Sequence, residues 1–324
     1  MRRALVRVKS KAASTVTLAG ALRLLATMGL WASCFPLIAI GLNLAPHLAF
    51  AAMRAALGGA GLLALGILFR RPMPRGARSW MLIGVTGISA TSLGFLGMFH
   101  AAEFVSPGIA SVIFNTQPLV GAVLARAFLN EKLAVTGKIG LVVGFAGIVI
   151  MSSPGLASAD AQGYATGIVY IALAAIGTAV GNLAMKRLSG DVDAMMAVGF
   201  SLLLGAVPLA LWSALKEDMS LPWTGEFAVV LAVLSVFGTS LAFWLWFTAL
   251  QNVELGVANA FTFLGPLFGL AIGAAAFGER IGWLQAVGVI LVLAGVVIAQ
   301  LRNRTDAEAK VGSVDRTHFE QNRG

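Results

Sequence analysis

The chain has 324 residues, of which 58% are apolar and 11% charged, with 23 Lys and Arg against 14 Asp and Glu for a formal net charge of +9. A soluble domain carries roughly 25% charged residues and has too little interior to hide this much apolar surface, so a soluble globule is excluded, and a disordered chain with it. Long apolar runs part the basic residues, which excludes nucleic-acid binding as the source of the charge, and the lone Cys34 excludes an intrachain disulfide or a Cys-based metal site.

What remains is an all-α integral membrane protein with the lipid bilayer as its solvent. About 20 apolar residues cross the hydrocarbon core as a helix, and the runs here are continuous rather than alternating, which argues against a β-barrel. In chain order, a basic tail (1–19) leads into spans at 20–42, 47–69, 79–102, 106–129 and 135–153. A loop at 154–163, opened by Ser153-Pro154-Gly155, leads to spans at 164–186, 193–215, 227–250, 254–277 and 282–301, and a polar tail occupies 302–324. The first apolar run is long and interrupted by Arg23, so it reads as a retained span rather than a cleaved leader. Ten spans put 18 Lys and Arg of the loops and tails on one side and only Lys216 and Arg280 on the other. The excess places both termini in the cytoplasm and the chain in the cell's inner (plasma) membrane.

Polar side chains inside such spans are costly, so each is either functional or helix glue. Trp31 in span 1 and Trp244 and Trp246 in span 8 lie inside their spans; with Phe95, Phe99, Phe243 and Phe247 they either line an apolar pocket or are packed bulk. Trp244 and Trp246 are two apart, so only one of them faces such a pocket. Arg54 in span 2 either binds an anionic substrate group or caps carbonyls of a neighbouring helix. His100 and Glu103 stand at i and i+3 near the outer end of span 3, where they either share a proton or are an exposed span-end pair. In span 4, Ser111, Asn115 and Pro118 share one face with Gln117 beside it; Asn259, Phe263 and Pro266 repeat the arrangement in span 9. These faces either line a cavity or pack helices together. Asn182 and Lys186 approach the cytoplasmic mouth of span 6, Lys186 as a topogenic charge. No carboxylate stands clearly at a midplane, which disfavours simple cations as cargo.

The chain also repeats. Shifted by 148 residues, 92–151 matches 240–299 at 18 of 60 positions, where chance gives about 5. Pro118 pairs with Pro266 and Glu131 with Glu279, and both residue types are rare here. Glu131 and Glu279 each follow a span and precede another helix, where a carboxylate meets the positive end of the next helix dipole. Five spans per half is an odd number, so the second half enters the membrane the opposite way round. Inverted-topology repeats are an architecture of secondary transporters, with the substrate site near the midplane between the halves.

The motif Pro118-Leu119, Asn130-Glu131-Lys132, Gly140, Ala146-Gly147 recurs as Pro266-Leu267, Gly278-Glu279-Arg280, Gly288, Ala294-Gly295. In this the chain resembles the EamA-type permeases of the drug/metabolite transporter superfamily, with one repeat over 20–153 and a second over 164–301. Arg54 sits where that family often has an arginine, and Asn130 replaces the usual Gly. The resemblance implies a ten-helix permease for small metabolites, often an exporter of amino acids, with uptake of a cofactor-like solute as the alternative. It implies no cofactor and no metal, and it leaves a homodimer open. No Gly-x-x-x-x-Gly-Lys-Ser/Thr string is present, so ATP does not drive the transport directly. The three histidines stand far apart at 47, 100 and 318 and form no acid–base or metal constellation in the sequence, which argues against a membrane-embedded enzyme. A receptor or scaffold is disfavoured by the repeat.

Overall fold

In the computed structural model, residues 17–101, 104, 110, 113–131, 134–156, 164–217, 223–277 and 282–299 are described. They are helical, with no strand among them. The helices are α1 (Leu18–Leu42), α2 (His47–Leu68), α3 (Ala77–Ala101), α4 (Gln117–Phe128), α5 (Val135–Leu156), α6 (Tyr164–Leu188), α7 (Ala194–Lys216), α8 (Gly225–Leu250), α9 (Leu255–Phe261), α10 (Leu264–Phe277) and α11 (Trp283–Ala299). Among the described residues, seven stretches of helix are long and apolar enough to cross a membrane, and the chain is a multi-pass membrane protein. Glu103, Ser111, Glu279 and residues 1–16 and 300–324 of the two tails lie outside the described residues.

Three features depart from a plain reading of hydropathy. First, α5 runs through Ser153-Pro154-Gly155, where a loop was expected. Proline cannot donate to the carbonyl one turn back, and the Ser153 hydroxyl takes that place by donating to Ile150 O at 2.7 Å. Second, the span expected at 254–277 is broken between α9 and α10 at Thr262–Phe263, and a turn at Asn115–Thr116 precedes α4 in the same way. Each break lies within four residues upstream of a proline, Pro266 or Pro118, whose missing N–H leaves that turn unclosed. Thr262 and Thr116 donate their hydroxyls to Asn259 O and Ile113 O, both at 2.7 Å, carbonyls that also accept from the backbone N–H of the same two residues and so tighten each turn. Third, α3 and α8 each contain a wide π turn, at Gly87–Leu93 and Leu234–Leu241, in matching places of the 148-residue repeat.

Glycines set the crossings. A Cβ on Gly140 would lie 2.5 Å from Gly295 O, and one on Gly147 would lie 2.8 Å from Gly288 O. The N-terminal glycine of α5 therefore meets the C-terminal glycine of α11, and these two helices run antiparallel with their backbones in contact. Likewise α2 and α7 cross antiparallel, Gly59 against Gly199 O and Gly66 against Met196 Sδ. Each π turn packs on the partner helix of the other half: Ser92 donates to Gly205 O of α7 at 2.7 Å, and Ser240 donates to Gly58 O of α2 at 2.8 Å.

Helix ends are fastened across the bundle. Asn130, at φ 54°, ends α4 in the left-handed region that Asn enters more easily than most residues. The turn aims Glu131 away from the helix that follows it. Its carboxylate accepts from Leu255 N and Gly256 N, both at 3.3 Å, at the start of α9. The dipole it meets is thus that of α9, not α5 as expected. Lys186 donates to Leu250 O and Val253 O, and Arg187 to Phe128 O at 2.8 Å. Lys186 is therefore a tie between α6 and the α8–α9 turn, beyond any topogenic role. At the opposite end α2 has no side-chain cap from its own Ncap residue. Glu217, at the end of α7, supplies one by accepting from Leu48 N and Ala49 N, both at 2.9 Å.

Candidate functional site

The centre of the bundle holds a run of aromatic rings. Trp31 of α1 lies 5.5 Å from Phe243 edge-on and 5.6 Å from Trp246, both of α8. Phe243 continues to Phe95 at 6.5 Å, and Phe95 to Phe99 at 6.1 Å, both on α3. Of the two tryptophans of α8 it is Trp246, fully buried, that meets Trp31. Its indole N–H donates to Asn182 Oδ1 of α6 at 3.0 Å, so Asn182 holds the ring in one orientation. Trp244 is half-buried against the same cluster.

Arg54 is 4% exposed and spans four helices. Its Nε donates to Thr239 Oγ1 at 2.7 Å and its Nη2 to Gly238 O at 3.2 Å, both in the π turn of α8. Nη2 also reaches Cys34 Sγ of α1 at 3.8 Å, and the Phe95 ring centroid lies 5.1 Å from Cζ. Gly238 is the residue that lets Cys34 in, since a Cβ there would lie 2.2 Å from Sγ. Of the two sequence readings of Arg54, carbonyl capping is met in the structure through Gly238 O. The Nη1 nitrogen has no hydrogen-bond partner among the described residues.

Amides meet at the helix breaks. Asn259 of α9 is fully buried, and Gln117 at the head of α4 donates to its Oδ1 at 3.4 Å. The Asn259 Nδ2 group is buried with no hydrogen-bond partner, a state that costs about 1–3 kcal/mol unless something accepts from it. Gly121 lets the α4 backbone approach, for a Cβ there would lie 2.3 Å from that same Nδ2. Asn115 is buried beside the break. Pro118 and Pro266 place the breaks themselves.

At the far end of α2, α3 and α7 lies a group that sequence spacing missed. His47 Nε2 is 3.1 Å from His100 Nδ1 with the rings stacked at 5.2 Å, and His47 Nδ1 is 3.1 Å from Glu217 Oε1. Histidines read as widely separated are thus neighbours. The signal was hidden because residues at the ends of different spans share a membrane face whatever their distance in the chain.

The profile of the EamA-like transporter family matches residues 18–153 and again 165–300, nearly the whole chain in two copies. The chain belongs to the EamA-like transporter family. It is a membrane transporter of small solutes. It is similar to a chloroplastic WAT1-related protein of Arabidopsis thaliana, 28% identical over 268 residues that make up 79% of this chain and 63% of that protein. It is also similar to the uncharacterized transporter YvbV of Bacillus subtilis (strain 168), 26% identical over 284 residues, 87% of this chain and 92% of that one. A solved crystal structure at 21% identity matches with a TM-score of 0.75 over 89% of this chain and 98% of its own, which shows the fold they share. Among EamA-like transporters the match in two copies accounts for the internal repeat of this chain.

Proposed function

We propose that the chain is a secondary, alternating-access transporter of ten spans in two inverted five-span halves, exporting amino acids or related zwitterionic metabolites across the inner (plasma) membrane, with both termini cytoplasmic. The observation that carries this reading is the antiparallel contact of repeat-equivalent helices, α5 with α11 through Gly140, Gly147, Gly288 and Gly295, since parallel halves do not produce it. The basic residues at one end support the orientation. The ties made there by Glu131, Lys186 and Arg187 fit a state closed to the cytoplasm.

The substrate class follows from the polar groups left over. Asn259 Nδ2 offers a donor, Arg54 Nη1 offers charge for a carboxylate, and the wall of Trp31, Phe243 and Phe95 suits an apolar side chain. Export as the direction rests on the family resemblance. The test is flux into and out of proteoliposomes across a panel of radiolabelled solutes. At least one zwitterionic amino acid should show saturable flux, and its methyl ester, which lacks the carboxylate, should not. Flux of organic cations instead, or of no member of the panel, overturns the reading.

A further inference from the structure

We propose that His47, His100 and Glu217 form a proton-operated latch at the outer end of the transporter, closed when the two rings share one proton and released when outside water supplies a second. The proposal rests on the orientation given above, under which the start of α2 and the ends of α3 and α7 face outward.

The chemistry follows from donor counting. Glu217 is an acceptor with both oxygens engaged: Oε1 by Leu48 N–H and the His47 ring, Oε2 by Ala49 N–H and the Ser213 hydroxyl at 2.7 Å. With four donors aimed at it, the carboxylate is used as an acceptor throughout, and His47 must carry its hydrogen on Nδ1 to donate to it. The facing nitrogens, His47 Nε2 and His100 Nδ1 at 3.1 Å, then hold one hydrogen between them. Either His100 donates to a neutral His47, or a cationic His47 donates to His100 and keeps its ion pair with Glu217. In both cases the contact stands. When both rings are imidazolium, two N–H groups and two positive charges point at each other across that gap and the contact cannot persist. The second proton enters from bulk water at the outer face and returns to it, so no other co-reactant is needed.

Breaking the contact has a defined mechanical reading. Glu217 keeps α7 on the first turn of α2, and His100 adds a polar tie from the outer end of α3, one residue beyond Phe99, whose ring packs on Phe50 of α2 at 6.3 Å. On its other side His100 packs edge-on against Tyr170 of α6 at 4.6 Å and against Phe104 at 5.4 Å. Among the described residues the other titratable and charged groups at this end include Tyr170 on α6, Lys216 beside Glu217 on α7 and Glu226 at the head of α8, while Asp218, Glu279 and Arg280 lie outside the described residues. Glu103 and Asp160 lie outside the described residues. Release would free α3, and with it Phe95 and Phe99 of the aromatic wall, to move relative to α2.

The test uses the full-length chain in lipid nanodiscs with 15N-labelled histidine, and the His318→Gln variant to leave only the two rings of interest. Ring 15N shifts should titrate in two steps separated by about one pH unit or more, as coupled sites do. In His47→Gln the remaining His100 should titrate in a single step, because its coupled partner is gone. In proteoliposomes, flux of whichever solute the panel identifies should change severalfold as outside pH crosses the second step, and His100→Gln should abolish that dependence. A single step for both rings, unmoved by His47→Gln, overturns the latch, as does a two-step titration with flux indifferent to outside pH. Failure of the transporter reading looks different: two coupled steps in the spectra with no solute carried at any pH. The spectra of the wild-type rings decide the proton site even if a variant does not fold.

Discussion

Gly121 and Gly269 occupy the same place in the repeat, yet the structure predicts that replacing them by alanine has effects of opposite sign. A Cβ on Gly121 would stand 2.3 Å from Asn259 Nδ2, whereas one on Gly269 meets nothing within 4 Å. The first distance is about 1 Å inside normal contact, and fully buried Asn259 has little room to retreat. Overpacking of this kind costs about 1–3 kcal/mol, offset by the about 0.5–1 kcal/mol that alanine gains over glycine inside a helix. At a contact this short the overpacking cost falls in the upper half of that range, so Gly121→Ala should cost a net ~1–2.5 kcal/mol, roughly a 5- to 70-fold shift against the state in which α4 touches α9. Gly269→Ala should stabilise by about 0.5–1 kcal/mol. The assay is thermal unfolding of both purified variants in one detergent, followed by tryptophan fluorescence, with flux measured in proteoliposomes. If the two variants shift in the same direction, or Gly121→Ala matches wild type in both stability and flux, the α4–α9 contact is wrong.

In Gly147→Ala the new Cβ would lie 2.7 Å from Val292 N, backbone rather than side chain, so α5 and α11 must part; size-exclusion chromatography should show loss of monodisperse protein, and normal yield would contradict the packing. Burial pushes the Glu131 carboxyl above its ordinary value, against the pull of the Leu255 and Gly256 N–H groups and of Lys186. The folded chain thus holds that proton more tightly than the unfolded one, so its contribution to stability falls as pH rises from the ordinary value through the raised one. Melting curves against pH should show wild type losing ground to Glu131→Gln across that window, and parallel curves would contradict the burial. Arg54→Lys keeps the charge but not the fork that reaches Thr239 and Gly238 together; flux should fall about tenfold or more, and wild-type flux would return Arg54 to a simple charge.

Hydropathy made the membrane class legible because apolar runs must match the thickness of the hydrocarbon core. Pro118 and Pro266 stand just after the helix breaks, where the missing N–H acts locally, although the spans holding them were each read as one continuous helix. The contacts that build the site were legible only in part. Trp31, Trp246 and Asn182 come from three helices, and nothing local decides that Trp246 rather than Trp244 turns inward. Glu131 was read against the helix next to it in sequence, while the left-handed turn at Asn130 sends it to α9 instead. The His47–His100–Glu217 group was invisible because span ends from distant parts of the chain meet only once the helices are stacked. The π turns carry no signal in composition that distinguishes them from ordinary helix.

On the proposed function, solute crosses between the two halves past the amide pair at the helix breaks. Its most direct test is solute exchange in proteoliposomes with wild type and Asn259→Ala side by side. Alanine removes the unpartnered Nδ2 and the acceptor that Gln117 uses, while leaving the apolar surroundings in place. Wild type should show saturable exchange and, for Asn259→Ala at equal folded amount, the half-saturating concentration should rise about fivefold or more, as loss of about 1–3 kcal/mol of hydrogen bonding requires. Equal exchange with equal half-saturation in the two proteins would contradict it and make Asn259 helix glue.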